Sequence, residues 1–324
     1  MTLEESCDYR ASSETQGNGK ENPDTIEVRL FSNEEIYLPL WEEGSAPLEV
    51  QLGCSWHRCK FCDFANDPLR IFSLPEIEAK AHMLSQMLPD AQRIFLLGEN
   101  PLGLPYPLLE GIFDIVAQYF PQVNQVALYG RFDDVLGKTD EQLQALAQRG
   151  LVDVHIGLES GSQQVLDLMD KGIKLEDAAQ ACERLHRLGI RFSFTMIGGL
   201  GGRALSQEHA LASARFLNLA QPARVWMVGL LLWPDTPLYQ MAQAGEFEQL
   251  SFRERLLETR LMAEQLALNA CTFVDSTALG QYTLRAQLPE QKELLLGAID
   301  KLLALPGGEE YPPVPTRGHG GQGA

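Results

Sequence analysis

Between residues 48 and 233 the chain alternates short apolar runs with longer stretches whose apolar residues recur every three or four positions. The apolar runs are LEVQLG (48–53), RIFLLGE (93–99), QVALYGR (125–131), VDVHIGLES (152–160), RFSFTMIGG (191–199) and ARVWMVGLLLW (223–233). Near-continuous apolar runs of this length predict parallel strands covered on both faces. The intervening stretches carry helix-boundary chemistry. Ser73 precedes Glu76 and Thr139 precedes Gln142 at capping-box spacing, Pro75 falls in a first turn, and Gly150 and Gly189 stand where helices end. Repeated strand–helix units predict an α/β fold with a parallel sheet. Six units fall short of the usual eight, so the expected architecture is a partial (β/α)6 TIM-like barrel. After Trp233 the pattern turns helical. Ser251 with Glu254 opens FRERLLETRLMAEQLAL, and PEQKELLLGAIDKLLAL follows Leu288, which predicts a helical C-terminal cap. The linking stretch 270–288 reads equally as one short strand or as a loop.

The ends differ from this body. Residues 1–24 are polar and acidic and read as a disordered tail, residues 25–47 as an N-terminal extension, 48–250 as the core barrel and 251–305 as a helical extension. Residues 306–324 are dense in Gly and Pro and read as a second disordered tail, in which His319 is an ordinary solvated side chain. At 324 residues and 45% hydrophobic content the chain can bury a large core. It has no apolar run long enough to span a bilayer, and its N-terminus lacks the charged-then-apolar layout of a signal peptide, so a cytoplasmic protein without a membrane partner is expected. The formal charge is −18, with 11 acidic and 3 basic residues in 1–47 and 33 acidic against 23 basic in the remainder. A body this acidic disfavours nucleic acid as a partner.

Chemistry concentrates after the first strand. Three of the six cysteines, Cys54, Cys59 and Cys62, occupy one loop, LGCSWHRCKFCDF, with spacing C-x4-C-x2-C. Such clustering in a long chain points to metal ligation in a reducing compartment. Three thiolates can hold three irons of a four-iron cluster and leave the fourth open to a small molecule. Structural zinc is the alternative, with His57 or a distant residue completing a Cys3His site, although no second half-motif follows. Cys182 lies on the apolar stripe of a helix and reads as a core residue, Cys271 likewise, and Cys7 falls in the tail.

Together with five later segments, this loop resembles the radical S-adenosylmethionine superfamily over roughly residues 48–290. CKFC matches the end of that superfamily's cluster loop, with Phe61 in the aromatic position beside the adenine. LLGEN (96–100) is similar to its Gly-Gly-Glu type strand end and implies that Gly98, Glu99 and Asn100 surround the methionyl amine; the same residues also make a plain turn. GLESGSQQVLDLMDKG (157–172) is similar to a strand-end motif of coproporphyrinogen-oxidase, methylthiotransferase and Elongator-like enzymes. It implies that Glu159 bonds the ribose or sulfonium side of the cofactor and that Lys171 pairs with its carboxylate. Read without the resemblance, Glu159 is a helix-initiating acid and Lys171 a solvated charge. Tyr129 and Arg131 close the third strand where the family places a ribose or carboxylate contact; Arg131 also suits a structural ion pair. TMIGGLGG resembles a strand that passes under the adenine at Gly198 and Gly199, and WPDTPLY resembles an element shaping the substrate side.

The resemblance implies an enzyme that reductively cleaves S-adenosylmethionine at a 4Fe-4S cluster, yielding a 5′-deoxyadenosyl radical that abstracts hydrogen from a substrate. Its cofactors are the cluster and S-adenosylmethionine, and its partners a small substrate and an electron donor such as flavodoxin or ferredoxin. The alternative class is a non-catalytic iron–sulfur or zinc protein. One departure stands out: most of the superfamily has three residues between the first two cysteines, and this chain has four. Its motifs most resemble the Elongator-like and oxygen-independent coproporphyrinogen-oxidase-like groups.

Overall fold

A computed structural model describes residues 29–33, 36–63 and 67–315; the predicted tail 1–24, Cys7 and His319 lie outside them. The first strand β1 (Ala46–Glu49) is followed by a short antiparallel pair, β2 (Gln51–Leu52) and β3 (Arg70–Ile71), and by helix α1 (Leu74–Met87). Strand and helix then alternate through β4 (Arg93–Leu97), α2 (Tyr106–Tyr119), β5 (Gln125–Gly130), α3 (Phe132–Leu136), α4 (Asp140–Gln148), β6 (Leu151–Glu159), α5 (Gln163–Leu168) and α6 (Leu175–Arg187). They continue through β7 (Arg191–Gly198), α7 (Gly202–Ala220), β8 (Arg224–Gly229), α8 (Pro237–Gln243), α9 (Phe252–Gln265), β9 (Cys271–Ala278), β10 (Tyr282–Leu288) and α10 (Lys292–Leu303). The main sheet has eight strands in the order β1-β4-β5-β6-β7-β8-β9-β10. All pair in parallel except β10, which runs antiparallel to β9. The capping boxes form where the sequence places them: Glu76 accepts from Ser73 N at 2.8 Å, and Ser251 and Thr139 accept from the third residues of their helices.

Two features differ from expectation. The extension 251–305 is not all helical, because 271–288 folds as β9 and β10 and carries the parallel sheet one strand further than the six read from sequence. β10 escapes an apolar-run search because it exposes alternate residues, Arg285 and Gln287 among them, and presents only one face to the core, and β9 escapes it because Thr272, Asp275, Ser276 and Thr277 interrupt its apolar residues. Residues 306–315, expected to be disordered, pack on the start of α9: Phe252 N donates to Glu310 O at 3.0 Å, Arg253 N to Gly308 O at 2.7 Å, and Arg253 Nε to Gly307 O at 3.1 Å. Backbone acceptors hold this segment, and composition does not register them.

The apolar core lies between sheet and helices, and includes Val154, Ile156 and Leu158 of β6, Phe192, Phe194 and Met196 of β7, and Val225 and Met227 of β8. Alternation places Asp153, His155, Ser193, Arg224 and Trp226 on the opposite face. At the N-terminal ends of the strands that face is closed by charge pairing. Asp153, wholly buried, accepts from Arg93 at 2.7 Å, Arg191 at 2.9 Å and Arg224 at 3.1 Å. Glu42, in a 3-10 turn over Leu40–Glu42, accepts from Arg93 at 2.5 and 2.7 Å, lies 2.8 Å from His155 Nε2 and accepts from Ser45 Oγ at 2.6 Å. Burial pushes the Glu42 carboxyl up, but these hydrogen bonds outweigh it and hold the pKa at about 2, against an ordinary 4.5.

Removing one partner of such a network leaves buried charge uncompensated, so Asp153→Ala should lower the unfolding free energy by about 3–5 kcal/mol in urea titrations. Because the folded pKa of Glu42 is depressed, its contribution is present above pH 4.5 and is lost as the pH falls towards 2. Glu42→Gln should flatten that acid limb of the stability curve.

Candidate cofactor site

The cysteine loop sits over the C-terminal ends of the strands, opposite the charged floor. Its backbone is tied to the turn between α5 and α6, where Lys60 N donates to Met169 O at 3.0 Å, and to α8, where Leu238 N donates to Lys60 O at 2.9 Å. Phe61 is buried in a second apolar cluster with Val165, Met169, Leu200, Leu230 and Leu238, and Cys59 and Cys62 pack against it. No disulfide joins the described cysteines. Burial pushes the Cys59 thiol up, the neighbouring Lys171 and Arg131 charges pulling the other way. Among the described residues no three His, Cys, Asp or Glu side chains already stand as a metal-binding group. His57 is exposed, in the left-handed region at φ 54°. Cys182 and Cys271 are buried, and burial pushes each thiol up to about 12, as core cysteines.

The strand-end residues gather beneath the loop. Asn100, buried, accepts from Ser55 N at 3.2 Å and from Gln51 Nε2 at 3.0 Å, and donates to Ser55 Oγ at 2.8 Å and to Asp134 at 3.2 Å. Its amide therefore braces the cysteine loop. Gly98 lies against Gln51, whose Cβ would stand 2.8 Å from any side chain at that position. Glu99 is half-buried, and one of its oxygens, Oε2, is buried without a hydrogen-bond partner. Burial raises its pKa from 4.5 to about 7, with Asp67 and Glu49 adding and backbone N–H groups of Gly53 and Glu99 opposing.

Glu159 closes β6 at φ 65°, an unusual conformation for a side-chain-bearing residue. Its Oε1 pairs with Lys171 Nζ at 2.9 Å, and its Oε2 is buried without a partner. The pair folds over Gly157, where a Cβ would lie 2.1 Å from Glu159 Oε1, so only glycine allows it. Lys171 thus meets the Glu159 carboxylate, a partner the sequence resemblance does not name. Arg131, also buried, bonds Asp133 at 2.9 Å and Lys171 O at 3.3 Å. Gly199 N donates to Glu258 at 2.7 Å, while a Cβ on Gly198 would meet nothing closer than 3.7 Å, leaving that strand end open.

Several contributors carry no sequence signal of their own. Gln51 is buried with its Oε1 unpartnered, and Asp134, raised by burial to about 6, accepts from Arg131 N and Asn100. His209 Nδ1 lies 2.8 Å from Ser160 Oγ, and its Nε2 lies 3.7 Å from Glu258. This serine–histidine–carboxylate order is sealed, with Ser160 and His209 at most 1% exposed, so it links the turn after Glu159 to Gly199 and cannot meet a substrate. Only the α7 register of His209 and Ser213, which accepts from Gly161 N at 2.9 Å, could have marked it beforehand.

The family model for the radical SAM superfamily matches residues 48–216, the span from β1 through most of α7 and more than half of the chain. The chain belongs to the radical SAM superfamily. An uncharacterized protein of Methanocaldococcus jannaschii is 26% identical over 219 residues, 63% of this chain and 66% of that one. A tRNA uridine(34) acetyltransferase of Methanocaldococcus infernus is 24% identical over 111 residues, 34% of this chain and 21% of that one. The chain thus spans less than two thirds of either relative. In fold it is similar to Methanocaldococcus infernus Elp3 lacking its N-terminus (TM-score 0.50, 13% identity, 79% of this chain and 63% of that one). It is also similar to the methyltransferase TsrM of Kitasatospora setae with tryptophan and a SAM analog bound (TM-score 0.50, 18% identity, 62% and 39%).

The radical SAM superfamily implies an iron–sulfur cluster and S-adenosylmethionine, and the residues present fit both. Three thiols on one loop are a soft donor set suited to iron–sulfur ligation, and buried acceptors on Gln51, Glu99 and Glu159 call for a donor-rich ligand. Because the folded pKa of Glu99 is raised, its ionised form is disfavoured, and the ligand-free protein loses stability as the pH rises from 4.5 through about 7. Glu99→Gln should melt a few degrees above the parent protein at pH 8 and at the same temperature at pH 4.5, in thermal scans without ligand.

Proposed function

We propose that this chain is an enzyme that binds a 4Fe-4S cluster through Cys54, Cys59 and Cys62 and cleaves S-adenosylmethionine reductively for hydrogen abstraction from a bound substrate. The observation that carries this reading is the pairing, at one end of a parallel sheet, of a three-cysteine loop with two carboxylates, Glu99 and Glu159, that each keep a buried unpartnered oxygen. When bound, the cluster and cofactor together supply a one-electron cleavage that yields methionine and a 5′-deoxyadenosyl radical.

The protein's own groups position and shield. Glu99 accepts the methionyl ammonium, which its raised pKa favours as a way of regaining ionisation. Glu159 presents Oε2 to the ribose or sulfonium side, while Lys171 holds its other oxygen and neutralises its charge. Arg131 adds positive charge near the cofactor carboxylate, Asn100 keeps the cysteine loop seated, and the open end of β7 at Gly198, beside Gly199, leaves room for the adenine beside Phe61. The apolar cluster around Phe61 excludes water from that side. A reducing, cytoplasmic setting and a flavodoxin- or ferredoxin-type donor suit such a centre. No helix among the described residues is long and apolar enough to cross a membrane.

Anaerobic reconstitution should load about four irons and four sulfides per chain, and strong reductant with S-adenosylmethionine should then release 5′-deoxyadenosine. Serine at Cys54, Cys59 or Cys62 should abolish both. Stoichiometric zinc in place of iron, or a loaded protein that leaves S-adenosylmethionine intact, would refute the reading.

A further inference from the structure

Four residues, Ser55, Trp56, His57 and Arg58, separate the first two cysteines, and the structure restrains this spacer at each of them. Ser55 is bonded on both its backbone N and its Oγ by Asn100. His57 supplies the reversal at φ 54°. Arg58 reaches Asp170 at 3.0 Å. Trp56 is the centre of the arrangement. Its Nε1 donates to Asp170 O at 2.7 Å, and the guanidinium carbons of Arg58 and Arg131 each stand 4.9 Å from its ring centroid, within cation–π range.

The opposing surface is shaped for that ring. Gly172 follows Lys171, and a Cβ on it would lie 2.0 Å from Trp56 Cζ2, 2.3 Å from Cη2 and 2.5 Å from Cε2. Gly172 also sits at φ 69°, where a side chain is strained. The glycine that ends the GLES-to-KG segment is therefore a notch for an aromatic residue inside the cysteine loop. Through this notch the spacer touches the same turn that presents Lys171 to Glu159.

We propose that Trp56 and Gly172 form a latch that fixes the four-residue spacer, and with it the separation of the Cys54 and Cys59 thiols. Trp56 is a positioning residue for the cluster and touches no reacting atom. The latch rests on the iron–sulfur reading above. It explains how a spacer one residue longer than the superfamily's usual three presents both thiols from a defined loop. It also couples the loop to Arg131 and Lys171, since releasing the ring removes the surface over which Arg131 is held.

The test uses the full chain, reconstituted anaerobically, as Trp56→Ala, Gly172→Ala and the double variant Gly172→Ala with Trp56→Phe. Iron and sulfide per chain and the electron paramagnetic resonance spectrum of the reduced protein, with and without S-adenosylmethionine, are read beside the circular dichroism of the unloaded protein. Trp56→Ala and Gly172→Ala should each retain at least threefold less intact cluster, with a shifted spectrum and unchanged dichroism. The double variant should recover part of the iron, because the shorter phenylalanine ring relieves the contact with the new Cβ, while the strain of a side chain at φ 69° and the lost Nε1 bond to Asp170 O remain. Wild-type loading and an unshifted spectrum in Trp56→Ala would overturn the latch, as would a double variant no better than Gly172→Ala. If Trp56→Ala loses its fold, the double variant decides alone. A parent protein that takes up no cluster would instead remove the iron–sulfur reading, and the latch with it.

Discussion

The strands β1 and β4 through β9 all run in one direction, so every turn that follows one of them opens on the same rim. The cysteine loop after β1, Glu99 after β4, Arg131 after β5, Glu159 at the end of β6 and Gly199 after β7 are far apart in sequence and adjacent at that rim for this reason alone. The opposite rim is the complement. Arg93, Arg191 and Arg224 each open a strand there, and Glu42 and Asp153 neutralise them, so that end is stitched shut and its polar groups are consumed in pairing. Conserving stability at one rim and leaving acceptors unpaired at the other is the division that (β/α) architectures use.

Much of this is legible in the sequence because the parallel strands are buried on both faces and therefore nearly all apolar. The six apolar runs mark their strands, the capping pairs mark their helices, and the cysteine spacing marks the loop. What escapes is structure held by backbone or by one-sided burial. Strand β10 alternates and exposes about half its residues, and residues 306–315 are held through carbonyls of Gly307, Gly308 and Glu310 that Arg253 and the first turn of α9 engage. The charged floor escapes too, since Glu42 lies in a segment whose composition reads only as an acidic extension.

At the rim itself, motifs identify positions better than partners. Glu159 and Lys171 stand out as residues, yet their mutual 2.9 Å contact depends on the left-handed backbone of Glu159 and on the missing side chain of Gly157, which no spacing rule encodes. Asn100 sits in a cofactor-type motif and acts here as a brace between Ser55, Gln51 and Asp134. Trp56 carries no spacing signal, and its fit against Gly172 appears only in the fold. The same limit applies to the substrate: membership of the radical SAM superfamily and likeness in fold speak to cofactor and architecture, and the relatives' own reactions remain theirs.

The central claim is that the cysteine loop holds a cluster with one iron open to S-adenosylmethionine. Electron–nuclear double resonance on the reduced, loaded protein with cofactor labelled by 15N at the methionyl amine tests this at the atoms concerned. Direct coordination predicts a resolved 15N hyperfine coupling to the cluster spin, weakened when Glu99 is replaced by glutamine. A four-iron signal without any coupling from the labelled nitrogen would contradict it.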